Sequence, residues 1–449
     1  MDDERVTHAT EHPELRRTLG PWLLLFFIVG DIVGGGIYAL VGVVGGEIGG
    51  AIWAAFLAAL ILAAFTAASY VELVTKYPRA GGSASYIHRA FRTPFLSFMV
   101  AFAVVCSGLT SATALALAFG GDYLAQFVQM PQVLAALLLI LVLALINFRG
   151  ISESVKLNAA FTSIEIFGLL LIVLIGIITL ATGTGEPARA FDFKEGSSIP
   201  LLILAGAALS FYALIGFDDS VNVAEEVRNP SRVYPRALFS GLFFAGIIYL
   251  LVTFTASMVV PTQALAASDG PLLEVVQRGT LPIPLTLFSV IALFAVSNGA
   301  LINLIMASRL LYGMADQDVM PSVFSKVHPT TRTPWVSIIF TVAIVVVLLF
   351  LGGGLEALAS ATVVLLLSVF VLVNVSALML RNDRVEHDHY RAPIVFPILG
   401  IVVSLALLTQ QDLSTFVLVG ILLLGGVVLY GVNVLVKRSL DRRAPRGVT

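Results

Sequence analysis

The sequence predicts an all-α polytopic membrane protein with twelve transmembrane helices, arranged as a 5+5 inverted repeat followed by two extra helices. Three observations predict this fold class: the composition, the distribution of positive charge, and two apolar spans interrupted by glycine and acid. Of 449 residues, 58% are hydrophobic and only 12% are charged, whereas a soluble domain carries about 25% charged residues. The net charge of −2 provides no basic surface for nucleic acid.

Twelve apolar runs are long enough to cross the roughly 30 Å hydrocarbon core of a bilayer. They lie at 21–44, 51–74, 94–127, 131–148, 159–182, 199–226, 236–260, 284–313, 335–352, 356–380, 393–411 and 414–437. Residues 1–20 are polar and mixed in charge, which predicts a cytoplasmic tail rather than a cleavable signal peptide. Residues 438–449 are predicted to form a second cytoplasmic tail, and 77–92 an interfacial helix.

Positive charge supports this map. With the N-terminus placed inside, only Arg189, Lys194 and Arg278 of the 26 lysines and arginines fall in outer segments. Adding or removing one span would scramble this segregation, because every later loop would change sides. The sequence therefore predicts a multi-pass protein of the plasma membrane, in contact with lipid, with both termini cytoplasmic.

The first span is interrupted between Val29 and Ile37 by Asp31 and by three consecutive glycines, Gly34, Gly35 and Gly36. Each glycine weakens a helix by roughly 1 kcal/mol relative to alanine, and hydrocarbon offers no water to the freed backbone groups. Close helix packing through the Gly30–Gly34 spacing is the alternative. Three glycines beside an acid favour unwinding at a substrate site.

Span 6 is interrupted in a similar way, because polar residues follow Gly216 in mid-span. Spans 1 and 6 are five apart and so cross in opposite directions, as expected of an inverted repeat with a central site. The repeats are predicted at 21–182 and 199–380, with 393–437 forming the two extra helices. At least one of Asp218 and Asp219 is expected to cap the inner half-helix that begins there.

The two interruptions suit a zwitterion. Backbone N–H groups at Gly34–Gly36 would begin the outer half-helix and suit a carboxylate. Free carbonyls at the ends of the other halves would suit an ammonium, and Tyr212 and Phe217 could cover the ligand as a gate. Asp31 is expected to contact ligand or coupling ion, with a purely structural acid as the alternative. Glu165 in span 5 could carry a proton or pair with a polar neighbour.

No enzyme class finds support in the sequence, and neither catalytic residues nor a cofactor are predicted. All six histidines lie in tails or inner loops, so no metal site is expected. The single cysteine, Cys106, lies in an apolar run without a catalytic partner. No Walker A pattern is present, which argues against ATP-driven transport.

Four motifs resemble the amino acid–polyamine–organocation superfamily of permeases. The first is Val29–Tyr38, similar to I-G-x-I-I-G-x-G-I-F; the second joins Tyr70, Glu72 and Leu73 to Tyr77–Tyr86. The third joins Phe211–Asp218 to Ala224–Pro230, and the fourth joins Arg309–Ala315 to Pro321. The resemblance covers nearly the whole chain through span 10 and implies the LeuT-type fold.

The resemblance also implies a set of substrate-binding residues, with the carboxylate at the glycines and the amino group at the carbonyls of 212–215. Together with Asp31, the predicted set is Asp31, Ile32, Gly34, Gly35, Gly36, Tyr212, Ala213, Ile215 and Gly216. Two departures matter. Asp31 stands where the family has a small or neutral residue, and Glu165 stands where several proton-coupled members carry a lysine.

The predicted function is secondary transport of amino acids by alternating access, with a proton or cation as coupling partner. Asp31 and Glu165 favour cationic amino acids or polyamines as substrates. Two alternatives stay open: an amino-acid exchanger, and a sensor that binds an amino acid without moving it. Sensors of this kind usually add tails or soluble domains, which the sequence lacks.

Overall fold

The computed structural model describes residues 20–78, 82–149, 154–317 and 319–443. Across these ranges the chain is mainly helical, with an antiparallel β-bridge between Gly49 and Phe193. The α-helices in chain order are α1 (Pro21–Ile32), α2 (Gly35–Ile48), α3 (Ile52–Lys76), α4 (Gly82–Phe91), α5 (Pro94–Phe119), α6 (Asp122–Ala125), α7 (Gln132–Arg149), α8 (Ser154–Thr182), α9 (Ile199–Ser210), α10 (Pro230–Val259), α11 (Thr262–Ala267), α12 (Pro271–Arg278), α13 (Leu285–Asp316), α14 (Trp335–Leu351), α15 (Leu355–Met379), α16 (Val395–Leu408) and α17 (Leu413–Arg443).

Proline marks the start of several of these helices. Pro21, Pro94, Pro230 and Pro271 occupy the first turns of α1, α5, α10 and α12. A first-turn residue has no intrahelical acceptor for its N–H, so proline loses nothing there and its fixed φ favours the helix. Short 3-10 helices at Pro187–Phe191, Phe211–Leu214, Asp219–Glu226, Ser322–Ser325 and Leu380–Asn382 complete the described structure.

Ten of the predicted spans contain helices long and apolar enough to cross a membrane. The other two, α14 and α16, are apolar but shorter, with 17 and 14 residues. The protein is therefore a polytopic membrane protein. The boundaries differ from the predicted ones at the first span, where α2 continues to Ile48 instead of ending at 44. A helix also forms within 77–92, as α4, where an interfacial helix was expected.

Close backbone contacts hold α1 inside the bundle. A Cβ atom on Gly30 would lie 2.3 Å from Thr162 Oγ1 of α8. A Cβ atom on Gly241 of α10 would lie 2.6 Å from Ile28 of α1. Small residues permit such contacts between membrane helices, so Gly30 serves helix packing. On the other side of the bundle, α5 packs against both α13 and α15.

Candidate substrate site

The first span is broken between α1 and α2. Helix α1 ends at Ile32, Val33 leaves the helical region with ψ 55°, and Gly34 is extended with φ −97° and ψ −166°. Helix α2 then begins at Gly35, so the N–H groups of Gly35 and Gly36 lie in a first turn and have no intrahelical acceptor. The predicted interruption thus produces a helix N-terminus in mid-span.

The sixth span is broken by a different backbone conformation. Helix α9 ends at Ser210, the 3-10 turn Phe211–Leu214 follows, and Ile215 is extended. Gly216 then adopts φ +123°, a conformation that L side chains rarely adopt. A Cβ atom at Gly216 would lie 2.7 Å from the Asp31 carbonyl oxygen. Glycine is therefore required here for both conformation and space, and the two breaks touch at this point.

The inner part of span 6 differs from the prediction. Residues Asp219–Glu226 form a 3-10 helix, and Asp218 at its N-cap makes no side-chain capping bond. Instead, Asp218 Oδ1 lies 3.4 Å from the backbone nitrogen of Gly216. The Asp218 carboxylate turns back over the break because the freed N–H group there needs an acceptor. At least one of Asp218 and Asp219 is expected to cap this helix; Asp218 does not, and Asp219 is already its first residue.

A cavity of about 370 Å³ lies where the two breaks meet. Its wall contains every residue of the predicted substrate-binding set: Asp31, Ile32, Gly34, Gly35, Gly36, Tyr212, Ala213, Ile215 and Gly216. On α5 the lining runs from Val104 to Leu115, and on α13 from Asn298 to Leu310. The cavity therefore lies in the middle of the bundle, against the middle and C-terminal part of α5 and the same part of α13.

Most of the charged side chains in the cavity wall are acidic. Asp31, Asp218 and Asp219 line it, and the single basic residue among the lining side chains is Arg309. Asp31 interacts electrostatically with both other carboxylates, and its Oδ2 is buried without a hydrogen-bond partner. Because a buried carboxylate is costly unless it is paired, this wall favours a cationic ligand.

The lining residues outside the predicted substrate-binding set include Ser111, Asn222 and Arg309. Ser111 Oγ lies 3.0 Å from the Tyr212 hydroxyl oxygen, and Asn303 Nδ2 donates to Ser111 Oγ at 3.3 Å. The signal for Ser111 was its spacing of four from Ser107, which places both on one helix face. Arg309 opens the fourth motif, but that motif does not indicate a place in the cavity wall.

The two predicted gating aromatics have different positions. Tyr212 lines the cavity and is held by its hydrogen bond to Ser111. Phe217 is not part of the cavity wall; it is fully buried and packs on the rings of Tyr70 and Phe370. The expectation that Phe217 covers the ligand is therefore wrong, because its side chain points into the core behind the break.

Glu165 lies beside the cavity without lining it. The side chain is completely buried on α8, and Asn298 Nδ2 of α13 donates to Glu165 Oε1 at 3.0 Å. Asn298 also lines the cavity and so separates Glu165 from it. Glu165 Oε2 has no hydrogen-bond partner. Tyr38 of α2 donates to the Glu165 backbone carbonyl at 2.7 Å, which ties this position to the second half of span 1.

The carbonyls at the breaks are not all free, contrary to expectation. The Tyr249 hydroxyl of α10 lies 2.6 Å from the Ile32 carbonyl oxygen and 3.0 Å from that of Ala213. The Tyr212 carbonyl accepts the Ile215 N–H at 3.3 Å within the turn. Nothing in the spacing of spans 1 and 6 indicated that a side chain from span 7 would reach both breaks.

Two broken helices around a polar cavity in mid-bundle are the architecture of a membrane transporter. The comparison with protein families agrees: the chain belongs to the amino acid permease family, whose model matches residues 19–424.

Characterised relatives span several substrate classes. The chain is 25% identical to the branched-chain amino acid permease BcaP of Bacillus subtilis, over 95% of this chain and 94% of that protein. It is 29% identical to cationic amino acid transporter 4 of Mus musculus, over 84% of this chain and 62% of that protein. It is 25% identical to the low-affinity putrescine importer PlaP of Escherichia coli, over 92% of each.

Proposed function

We propose that this protein is a secondary transporter of cationic amino acids that works by alternating access. The observation that carries the proposal is the acidic cavity at the meeting point of the two breaks, lined by Asp31, Asp218 and Asp219. A relative named as a cationic amino acid transporter and another named as a putrescine importer add support. Polyamines are the second candidate substrates, because they share the ammonium groups and lack the carboxylate.

In this proposal each break binds one charged group of the zwitterionic substrate. The first-turn N–H groups of Gly35 and Gly36 donate to the substrate carboxylate, which a helix N-terminus favours. The carbonyls near Ala213 and Ile215 receive the α-ammonium, and Tyr212 covers the ligand. The substrate's second positive charge lies toward Asp31, whose Oδ2 is without a hydrogen-bond partner.

The proposed arrangement is a LeuT-type 5+5 inverted repeat, with repeats at 21–182 and 199–380 and two extra helices at 393–437. Charge segregation supports twelve spans with both termini cytoplasmic. On that orientation, the lining of α13 from Asn298 to Leu310 lies largely in the cytoplasmic half of that helix. The proposed state is inward-facing, which supports release of substrate into the cell.

We assign proton coupling to Glu165. A carboxyl group in a dry environment favours its neutral form, and Glu165 Oε2 has no partner that would hold the charge. Its bond from Asn298, a cavity residue, gives a physical link between protonation and the substrate site. Protonation of Glu165 would change the carboxyl group to which the Asn298 side-chain amide donates its hydrogen bond.

The test is uptake into proteoliposomes of labelled arginine, lysine, leucine, glutamate and putrescine, with and without an inward proton gradient. Gradient-driven accumulation of arginine or lysine is expected. Accumulation of leucine or glutamate alone would overturn the cationic assignment. Uptake that requires internal substrate and ignores the gradient would identify an exchanger, and saturable binding without any flux would identify a sensor.

A further inference from the structure

Tyr249 places one hydroxyl group at the point where the two broken helices meet. Its oxygen is 2.6 Å from the carbonyl of Ile32, the last residue of α1, and 3.0 Å from the carbonyl of Ala213 in the 3-10 turn. Ile32 and Ala213 both line the cavity, whereas Tyr249 does not. The hydroxyl therefore joins the two breaks from behind the cavity wall.

The position of this hydroxyl is fixed by packing. Tyr249 is buried with 1% of its surface exposed, and its ring meets Phe56 of α3 edge to face at 5.7 Å. The Tyr249 backbone carbonyl accepts the Thr253 hydroxyl at 2.8 Å. A buried tyrosine with such neighbours cannot swing freely, so the two carbonyls are held at one defined place in space.

The hydroxyl alone cannot satisfy both carbonyls. A tyrosine hydroxyl has one proton and donates to one acceptor at a time, while each carbonyl oxygen offers two lone pairs. The Ile32 carbonyl oxygen also accepts the Gly34 N–H at 2.8 Å, so both carbonyls keep one free acceptor position when Tyr249 donates to Ala213. A substrate ammonium has three N–H donors, and it can complete the hydrogen bonding of both carbonyls together if they stay in register.

We propose that Tyr249 is a positioning residue that holds the Ile32 and Ala213 carbonyls in register, so that one substrate ammonium meets both breaks at once. This inference rests on the proposed function for its choice of ligand. It predicts that Tyr249 sets the transporter's selectivity for substrates that carry an α-ammonium over analogues that lack one.

The first test compares Tyr249→Phe with Tyr123→Phe in proteoliposome uptake. Tyr123 is a matched control, because its hydroxyl is also fully buried and donates to a backbone carbonyl, that of Tyr38, at 2.9 Å. Tyr249→Phe is expected to raise KM about tenfold, as loss of one buried hydrogen bond predicts, with the maximal rate within about twofold. Discrimination against the des-amino analogue of the substrate should fall by the same factor.

Tyr123→Phe should leave KM and discrimination unchanged. Equal effects of the two variants, or a Tyr249→Phe variant that keeps full discrimination, would overturn the inference. A fall in maximal rate with unchanged KM would do the same, because it would indicate a general role in folding or motion.

A second measurement is independent of any ligand. Hydrogen exchange of the purified protein reports on the amides of 29–36 and 210–218. Tyr249→Phe should speed exchange in both segments together by about tenfold, whereas Tyr123→Phe should change neither. If wild-type protein transports no amino acid, the proposed function fails but exchange still decides the role of Tyr249; unchanged exchange in both segments would reject it.

Discussion

The two breaks meet at one cavity, but they differ in backbone conformation and in the polar groups that they present. The span 1 break uses consecutive glycines and an extended link at Gly34, and it presents the N–H groups that begin α2. The span 6 break uses a 3-10 turn and Gly216, and it presents carbonyls and the carboxylates of Asp218 and Asp219. The N–H donors thus come from span 1, whereas the acceptors come from span 6 together with Asp31 and the Ile32 carbonyl at the end of α1. This division matches a ligand carrying both signs of charge.

The largest effect is expected at the contact between the breaks, from Gly216→Ala. The new Cβ atom would meet the Asp31 carbonyl oxygen at 2.7 Å in a backbone with φ +123°. The strain alone costs about 1–3 kcal/mol, and the collision forces the breaks apart, so uptake should fall by about a hundredfold or more.

Gly196→Ala separates the two causes, because Gly196 has φ +98° and open space around its Cβ position. This control should show the conformational cost alone, with uptake near wild type once expression is matched. Equal losses in both variants would mean that the contact between the breaks is unimportant.

Removing the charge of Glu165 should abolish coupling without removing the site. Glu165→Gln keeps an oxygen for Asn298 to donate to but cannot release a proton. Substrate accumulation should become independent of the proton gradient, while binding affinity stays within about twofold. Ser289→Ala is a suitable control. Like Glu165, Ser289 carries a buried side-chain oxygen without a hydrogen-bond partner, and it lies on the neighbouring helix α13. Unchanged pH dependence of uptake in Glu165→Gln would contradict the assignment.

Asp31→Asn tests whether the Asp31 carboxylate accepts the positive charge of the substrate. Loss of one partly desolvated ion pair should weaken binding of arginine or lysine by about tenfold, relative to a neutral amino acid. Competition binding against labelled substrate measures this ratio. Glu356→Gln, an exposed acid at the start of α15, should not change it. A ratio unchanged in Asp31→Asn would show that this carboxylate does not meet the substrate.

The smallest effect is expected outside the membrane, in the cluster of Tyr77, Arg89 and Asp383. Asp383 accepts from the Tyr77 hydroxyl at 2.5 Å and from Arg89 at 3.0 Å. These hydrogen bonds, that of Tyr77 first, hold the pKa of Asp383 below its ordinary 3.8. The charged form is therefore favoured in the folded protein, and its contribution is present above pH 3.8 and lost as the pH falls through the lowered pKa.

Asp383→Asn should reduce the free energy of unfolding by less than about 1 kcal/mol at neutral pH, because the pair is largely solvated. Thermal unfolding followed from pH 7 downward measures this difference, which should vanish at the acid end. Asp388→Asn, exposed in the same loop, is the control. A difference that persists at acid pH would mean that the charge of Asp383 is not its cause.

The sequence predicted the breaks well because glycine and acid are costly in a membrane helix. Asp31, Gly34 and Gly216 were identified from that cost alone, and all three line the cavity. The conformation at Gly216, by contrast, follows from its contact with Asp31, which lies in another span. Contacts between spans depend on three-dimensional packing, which the spacing along one span does not determine.

The wrong predictions for individual residues have the same cause, namely contacts between spans. Phe217 has the residue type of a gate, but its ring is taken up by Tyr70 and Phe370 from α3 and α15. In the sequence, Tyr249 is one of many aromatic residues in apolar runs. Only the fold brings its hydroxyl to both breaks. Of Asp218 and Asp219, at least one of which is expected to cap the helix after them, Asp218 turns toward the N–H group before it.

The most direct test of the division between donor and acceptor breaks is a competition series built on one ligand. Arginine, its decarboxylated form agmatine, and its des-amino analogue are each titrated against labelled arginine bound to the purified protein. The account predicts that losing the carboxylate and losing the α-ammonium each weaken binding by about tenfold or more. Agmatine binding as tightly as arginine would contradict it, because the N–H groups of Gly35 and Gly36 would then have no carboxylate to hold.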